Sequence, residues 1–216
     1  MILQKFKTIA VAWSVAVVVF IGLTAQTQAL EVVAIEEHWE LKVGQPDGGV
    51  SGPQVTMIMS PTNDIDHDFF VYTLNYRSDP DFTAGGMQVQ RWYGEDFEDS
   101  RNGSPNGMLH YTDETVTWVQ RLELDTANNS LTFDVNNGTS ESWGAFGNQG
   151  YMRFTINSTL ANLNNYRPAV SITGSGVNFG GNRVKSLILT KIRWWDAEGN
   201  MYEMEAPIDV DADIDP

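Results

Sequence analysis

The strongest constraint on this chain is a period of two. In "HWELKVG", Trp39, Leu41 and Val43 alternate with His38, Glu40 and Lys42. Side chains alternate faces along a strand, so this segment reads as a half-buried β-strand. The same rhythm returns in "QVTMIMS", "FFVYTLNYR", "GGMQVQRWY", "VTWVQRLELD", "SLTFDVNNG", "YMRFTIN", "PAVSITG", "KSLILTKIRWW" and "MYEME". Turn signals such as "QPDGG", "ANN" and "DAEGN" separate these runs. "GEDFEDSRNGSPNG" reads as an acidic loop, and "STLANLNNY" is the one candidate short helix, with a loop as its equal alternative. Many short strands with close turns predict an all-β, single-domain antiparallel sandwich of the jelly-roll or concanavalin A-like kind.

Residues 1 to 29 stand apart from that pattern. Lys5 and Lys7 precede an apolar run from Ile9 to Leu23, and polar residues lead to Ala29. This is the layout of a secretory signal peptide. The rival reading is a retained anchor, but the run is short of the roughly 20 residues a span needs. The expected organisation is a signal peptide at 1–29, a sandwich domain at 31–207 and an acidic tail at 208–216. Cleavage after Ala29 leaves no membrane span and places the protein in a periplasm, at a cell surface or outside the cell.

Charge narrows the partners. Thirteen basic residues against 28 acidic ones give −15, and Lys5 and Lys7 both precede Ala29, leaving −17 beyond it. A surface this acidic repels phosphate backbones, which argues against nucleic acid. Cysteine is absent. Export without disulfides fits a bacterial envelope or extracellular protein better than a small animal secreted domain.

Candidate chemistry is thin. Asp64, Asp66 and Asp68 alternate around Ile65 and His67. On an extended chain they would face one side and can offer oxygens to Ca²⁺. The run Asp209 to Asp215 alternates likewise, without the Gly and Glu of an EF-hand loop. "LELD" puts Glu123 and Asp125 on one face of a strand, with Trp118 on the other. No Gly-x-Ser-x-Gly elbow occurs, and the three histidines do not cluster. Surplus aromatics are the better lead, because sugar rings stack on flat aromatic faces while amides bind hydroxyls. "SWGAFGNQGY" concentrates both types, giving Trp143, Phe146, Asn148, Gln149 and Tyr151 as candidate ligand contacts. Its rival role is a core-sealing loop. By parity, Trp194 and Trp195 face opposite sides, as do Trp92 and Tyr93, so surface aromatics are expected among them.

The segments "LTFDVNNGTSESWGAFG" and "YRPAVSITGSGVNFGGNRVKSLIL" resemble secreted β-sandwich proteins of planctomycete-type bacteria, over roughly residues 118–200. That resemblance implies export and no particular activity. "VTWVQRLELDTANNSLTFDVNNG" is similar to the paired strands of concanavalin A-like and laminin-G-like sandwiches. It implies glycan or Ca²⁺ binding at clustered strand ends, which adds Asn182 and Arg183 as polar neighbours of the aromatic stretch. "LELD" also faintly resembles the Glu-x-Asp strand of sandwich β-glucanases, but Thr126, Ala127 and Asn128 stand where a second Glu is required. The leading expectation is therefore an exported, non-enzymatic binding module for glycans or cell-envelope polymers. A structural or adhesive surface protein with protein partners is the alternative, and a glycosidase or lyase comes third.

Overall fold

A computed structural model describes residues 30–44, 53–76, 86–103, 109, 111–148, 150–179 and 183–210. The expected signal peptide, Gln149, Asn182 and residues 211–216 lie outside the described residues. The predicted all-β antiparallel sandwich is what the chain forms. One sheet is built from β1 (Val32–Val43), β6 (Thr115–Asp125), β7 (Ser130–Ser140), β8 (Gly144–Phe146), β9 (Arg153–Asn157), β11 (Val184–Asp196) and β12 (Met201–Asp209). Its order is β12-β11-β1-β6-β7, with β8 and β9 sharing the far edge of β7. The second sheet runs β10-β2-β3-β4-β5, from β2 (Gln54–Met59), β3 (Asp68–Tyr76), β4 (Gly86–Tyr93), β5 (Asp96–Asn102) and β10 (Gly176–Phe179). Among the described residues no helix is long and apolar enough to cross a membrane.

Strand parity places the core. Ile35, Trp39, Leu41 and Val43 of β1 face inward, as do Trp118 and Leu122 of β6 and Phe133 of β7. Within the first sheet Trp39 and Trp118 stack with centroids 6.4 Å apart. The second sheet inserts Tyr72 edge-on against Trp118 and lays Phe70 on Phe133 at 4.8 Å.

The outer faces differ in kind. Across the first sheet, Glu203, Arg193, Glu36, Arg121, Asp134 and Arg153 form one cross-strand row of alternating charge. Arg193 meets Glu203 at 2.5 Å, Arg121 meets Glu36 at 2.7 Å and Arg153 meets Asp134 at 2.9 Å. Across the second sheet the matching row is uncharged, with Thr56, Thr73, Gln88 and Asn102. There, Trp92 donates to Gln90, Gln90 to Gln88, and Gln88 to Asn102.

Two local expectations need correction. "PAVSITG" is not a strand but the helix α1 (Pro168–Gly174). Proline at its start presets the helical φ, and Thr173 Oγ1 bonds back to the Ala169 carbonyl at 2.8 Å. Packing then overrides the β-branched composition: a Cβ at Gly174 would lie 2.8 Å from Ile58 Cδ1 and force that side chain to shift. "EDFEDSRN" is not loop but contributes the edge strand β5, while "STLANLNNY" takes the loop of its two readings. Charge on an edge strand discourages pairing with another chain. β12 also runs on to Asp209, past the expected domain end at residue 207.

Glu37 ties α1 to the sandwich. It follows the core parity of Ile35 and Trp39 and is 0 % exposed. Its carboxylate accepts from Trp39 Nε1 at 3.0 Å, from Tyr166 OH at 2.7 Å and from Ser171 Oγ. Burial raises its pKa to about 7, against the hydrogen bonds that pull it down. The folded protein thus retains a proton that the unfolded chain releases above the ordinary value of 4.5. This contribution to stability is complete below pH 4.5 and is lost as pH rises through about 7. The loss amounts to about 3 kcal/mol at roughly 1.4 kcal/mol per unit. Melting curves from pH 4 to 8 should show that decline in the native sequence and a much flatter profile in Glu37→Gln. An equal slope in both would assign the effect to other groups.

Candidate functional site

The aromatic stretch turns inward. β7 continues past Val135 to Ser140, passing Asn137 at φ +51°, where the ladder to β6 is irregular. β8 then folds back on it, pairing Ser140 with Gly144 and Gly138 with Phe146. Phe146 is 4 % exposed and belongs to the core. Trp143 is half-buried and meets Phe146 edge-on at 5.6 Å. Tyr151 packs against the core, and the Gly147 N–H points to its hydroxyl at 3.5 Å. Among the described candidate residues of the stretch Asn148 is the exposed one, with its Oδ1 accepting from the Asn137 N–H at 2.8 Å. Arg183 is not beside the stretch as a surface group; it is 1 % exposed and reaches the Leu109 carbonyl at 3.4 Å. Phe146 and Arg183 therefore cannot touch a ligand from outside, because packing uses their side chains. A Cβ at Gly138 would run into the Phe146 ring. Gly138→Ala should cost about 1–3 kcal/mol by displacing that ring, read as a lower melting temperature.

The Asp64, Asp66 and Asp68 set is likewise dispersed. Residues 61–67 form a bent loop rather than an extended run, so their carboxylates do not share a side. Ser60 Oγ donates to the Asp64 carbonyl at 2.6 Å, and Asp64 Oδ1 accepts from the Asp66 N–H at 3.2 Å. His67 Nδ1 lies 3.3 Å from the same oxygen, and that hydrogen bond holds the Asp64 carboxyl below its ordinary range. Asp68 turns to Arg91, 2.7 Å away. Among the described residues no three His, Cys, Asp or Glu side chains stand together so as to hold a metal ion.

The same loop borders a cleft of about 430 Å³ at one end of the sandwich. Tyr93 ends β4 there, just before the turn at Gly94, whose φ is +56°. That turn is tied to the loop by the Gly94 N–H and the His67 carbonyl at 3.2 Å. The Tyr93 ring meets His67 edge-on at 6.2 Å and remains 48 % exposed. Asn129, from the β6–β7 turn, and Asn157, at the end of β9, supply amides, and Leu131 and Leu160 supply apolar floor. Thr62, Ser158 and Thr159 add hydroxyls. An exposed ring, amides and hydroxyls around a concavity of this size suit a small polar ligand with apolar ring faces. Sequence reasoning singles out Asp68 here only as a metal ligand and Tyr93 only by parity. Asn129 and Asn157 carry no sequence signal, since four separate segments meet to form the cleft.

A second concavity of about 360 Å³ lies on the outer face of the first sheet, over β6, β7 and β9. Glu123 and Asp125 line it, on one face as their spacing predicts, with Trp118 in the core. Glu123 is 3.3 Å from Arg121, and Asp125 accepts from Asn128 Nδ2 at 2.7 Å.

No protein-family model and no curated protein matches this chain. Among solved structures it is similar to the CBM40 of Ruminococcus gnavus IT-sialidase bound to α2,6-sialyllactose. Identity is 16 %, the TM-score is 0.25, and the match covers 56 % of this chain and 60 % of that one.

Proposed function

We propose that this protein is an exported, non-enzymatic module that binds an uncharged oligosaccharide in the end cleft. The observation that carries this reading is the half-exposed Tyr93 ring set among Asn129, Asn157 and three hydroxyl side chains. A pyranose stacks its C–H face on the ring and offers its hydroxyls to the amides. Asp68 is the carboxylate among the cleft's described lining, and Arg91 neutralises it at 2.7 Å. Glycoside cleavage ordinarily needs two carboxyl groups flanking the bond, so the cleft is suited to holding a sugar and not to cutting it.

Calorimetric titration with neutral oligosaccharides tests this. Saturable binding is expected, weakened about tenfold or more in Tyr93→Ala, which corresponds to at least about 1.4 kcal/mol. The melting temperature should barely change, because the ring is half in solvent. Binding that survives Tyr93→Ala unchanged would move the site elsewhere.

One observation favours a protein-binding alternative. The edge strand β12 exposes Met201, Met204 and Ile208. A flat response to the sugar panel, together with self-association by light scattering, would favour that reading.

A further inference from the structure

We infer that the end cleft selects a 2-acetamido sugar, an N-acetylhexosamine, within its neutral glycan. This rests on the glycan reading above and adds the substituent that the cleft recognises. The cleft offers three kinds of surface at once. Tyr93 supplies a ring, Pro61, Leu131 and Leu160 an apolar floor, and Asn129 and Asn157 two amides. A plain hexose uses two of these: its C–H face lies on the ring and its hydroxyls reach the amides. Any hydroxyl held over the floor gives up water and gains no partner. The acetamido group uses both remaining surfaces. Its methyl suits the floor, and its N–H and C=O are the donor and acceptor that an asparagine amide answers.

The chain after β9 brings these surfaces together. The Ser158 N–H donates to the Asn129 carbonyl at 2.8 Å, and Ser130 pairs in register with Asn157. The β6–β7 turn is thereby fixed against the end of β9. Asn129 sits in that turn at φ +50°, a left-handed conformation that asparagine accepts more readily than most residues. The Leu160 N–H then donates to Ser158 Oγ at 3.3 Å, and the Leu160 side chain packs against the core cluster that includes Leu131. An amide and an apolar group thus stand three residues apart on one short loop. Both amides are free to act: among the described residues neither Asn129 nor Asn157 has a side-chain hydrogen bond. Other polar groups of the cleft are already spent. The Thr62 hydroxyl donates to the Asp64 carbonyl at 3.3 Å, and Asp68 is held by Arg91 at 2.7 Å. The binding capacity left open is mainly amide and hydroxyl, which suits an acetamido group better than an ammonium or a carboxylate.

Calorimetry with β-1,4-linked tetramers of N-acetylglucosamine, glucose and glucosamine tests this. The N-acetylglucosamine tetramer should bind about tenfold tighter than the glucose tetramer, as one buried methyl and one neutral hydrogen bond together allow. The glucosamine tetramer keeps the nitrogen but lacks the acetyl group. In high salt, which screens its attraction to an acidic protein, it should not share the advantage. Asn157→Ala and Leu160→Asn should each bring the ratio of the two neutral tetramers toward one. Asn157 is exposed, so its variant keeps the test valid if Leu160→Asn fails to fold. Tyr93→Ala should weaken both neutral tetramers alike. Equal affinity for the neutral tetramers, a preference for the glucosamine tetramer in high salt, or a ratio that survives both substitutions would overturn the inference while the cleft reading stands. Absence of binding by all three tetramers would overturn both.

Discussion

The aromatic interlock between the sheets is the constraint on which the rest depends. Phe70 and Tyr72 project from β3 into the gaps left by Phe133 and Trp118, with Trp39 stacked behind. Rings this large fix which face of each strand is inside, since slipping one residue would expose all of them. Once the inner parity is set, the outer residues have no choice of row. The alternating charges on one sheet and the amides and hydroxyls on the other are aligned across strands for that reason. The proposed cleft inherits its geometry from it.

Legibility followed the same logic. Strands with a clean alternation, such as Trp39 to Val43 or Arg121 to Asp125, are readable because one side of each is core. β5 was not, because an edge strand rich in acid lacks an apolar face to betray it. α1 was misread because Val170, Ile172 and Thr173 favour strands, and nothing local says that Glu37, 130 or so residues away, will bind Ser171. Glu37 itself was within reach. Extending the parity of Trp39 back two residues puts a carboxylate in the core, and such a group must have donors.

The candidate site illustrates a different limit. A sequence motif draws attention where aromatic and amide residues crowd together, as in residues 142–151. Crowding along the chain more often reflects a tight hairpin that must seal its own end, as Phe146 does beneath Gly138. The end cleft takes single, scattered residues from a loop, a strand terminus, a turn and another strand terminus. Its composition exists only after the sheets have closed.

The place of β1 has a consequence for how the molecule comes into being. The first strand of the fold lies between β6 and β11, so Glu36 pairs with Arg121 on one side and Arg193 on the other. One of its neighbours is therefore synthesised about 80 residues later and the other more than 150 later. Among the described strands β1 leaves the ribosome first; it gains β6 about half-way through the domain and β11 only near its end. Such distant pairings make closure slow. A chain released before β11 would leave one edge of β1 unpaired, so the first sheet is completed only from the domain's end.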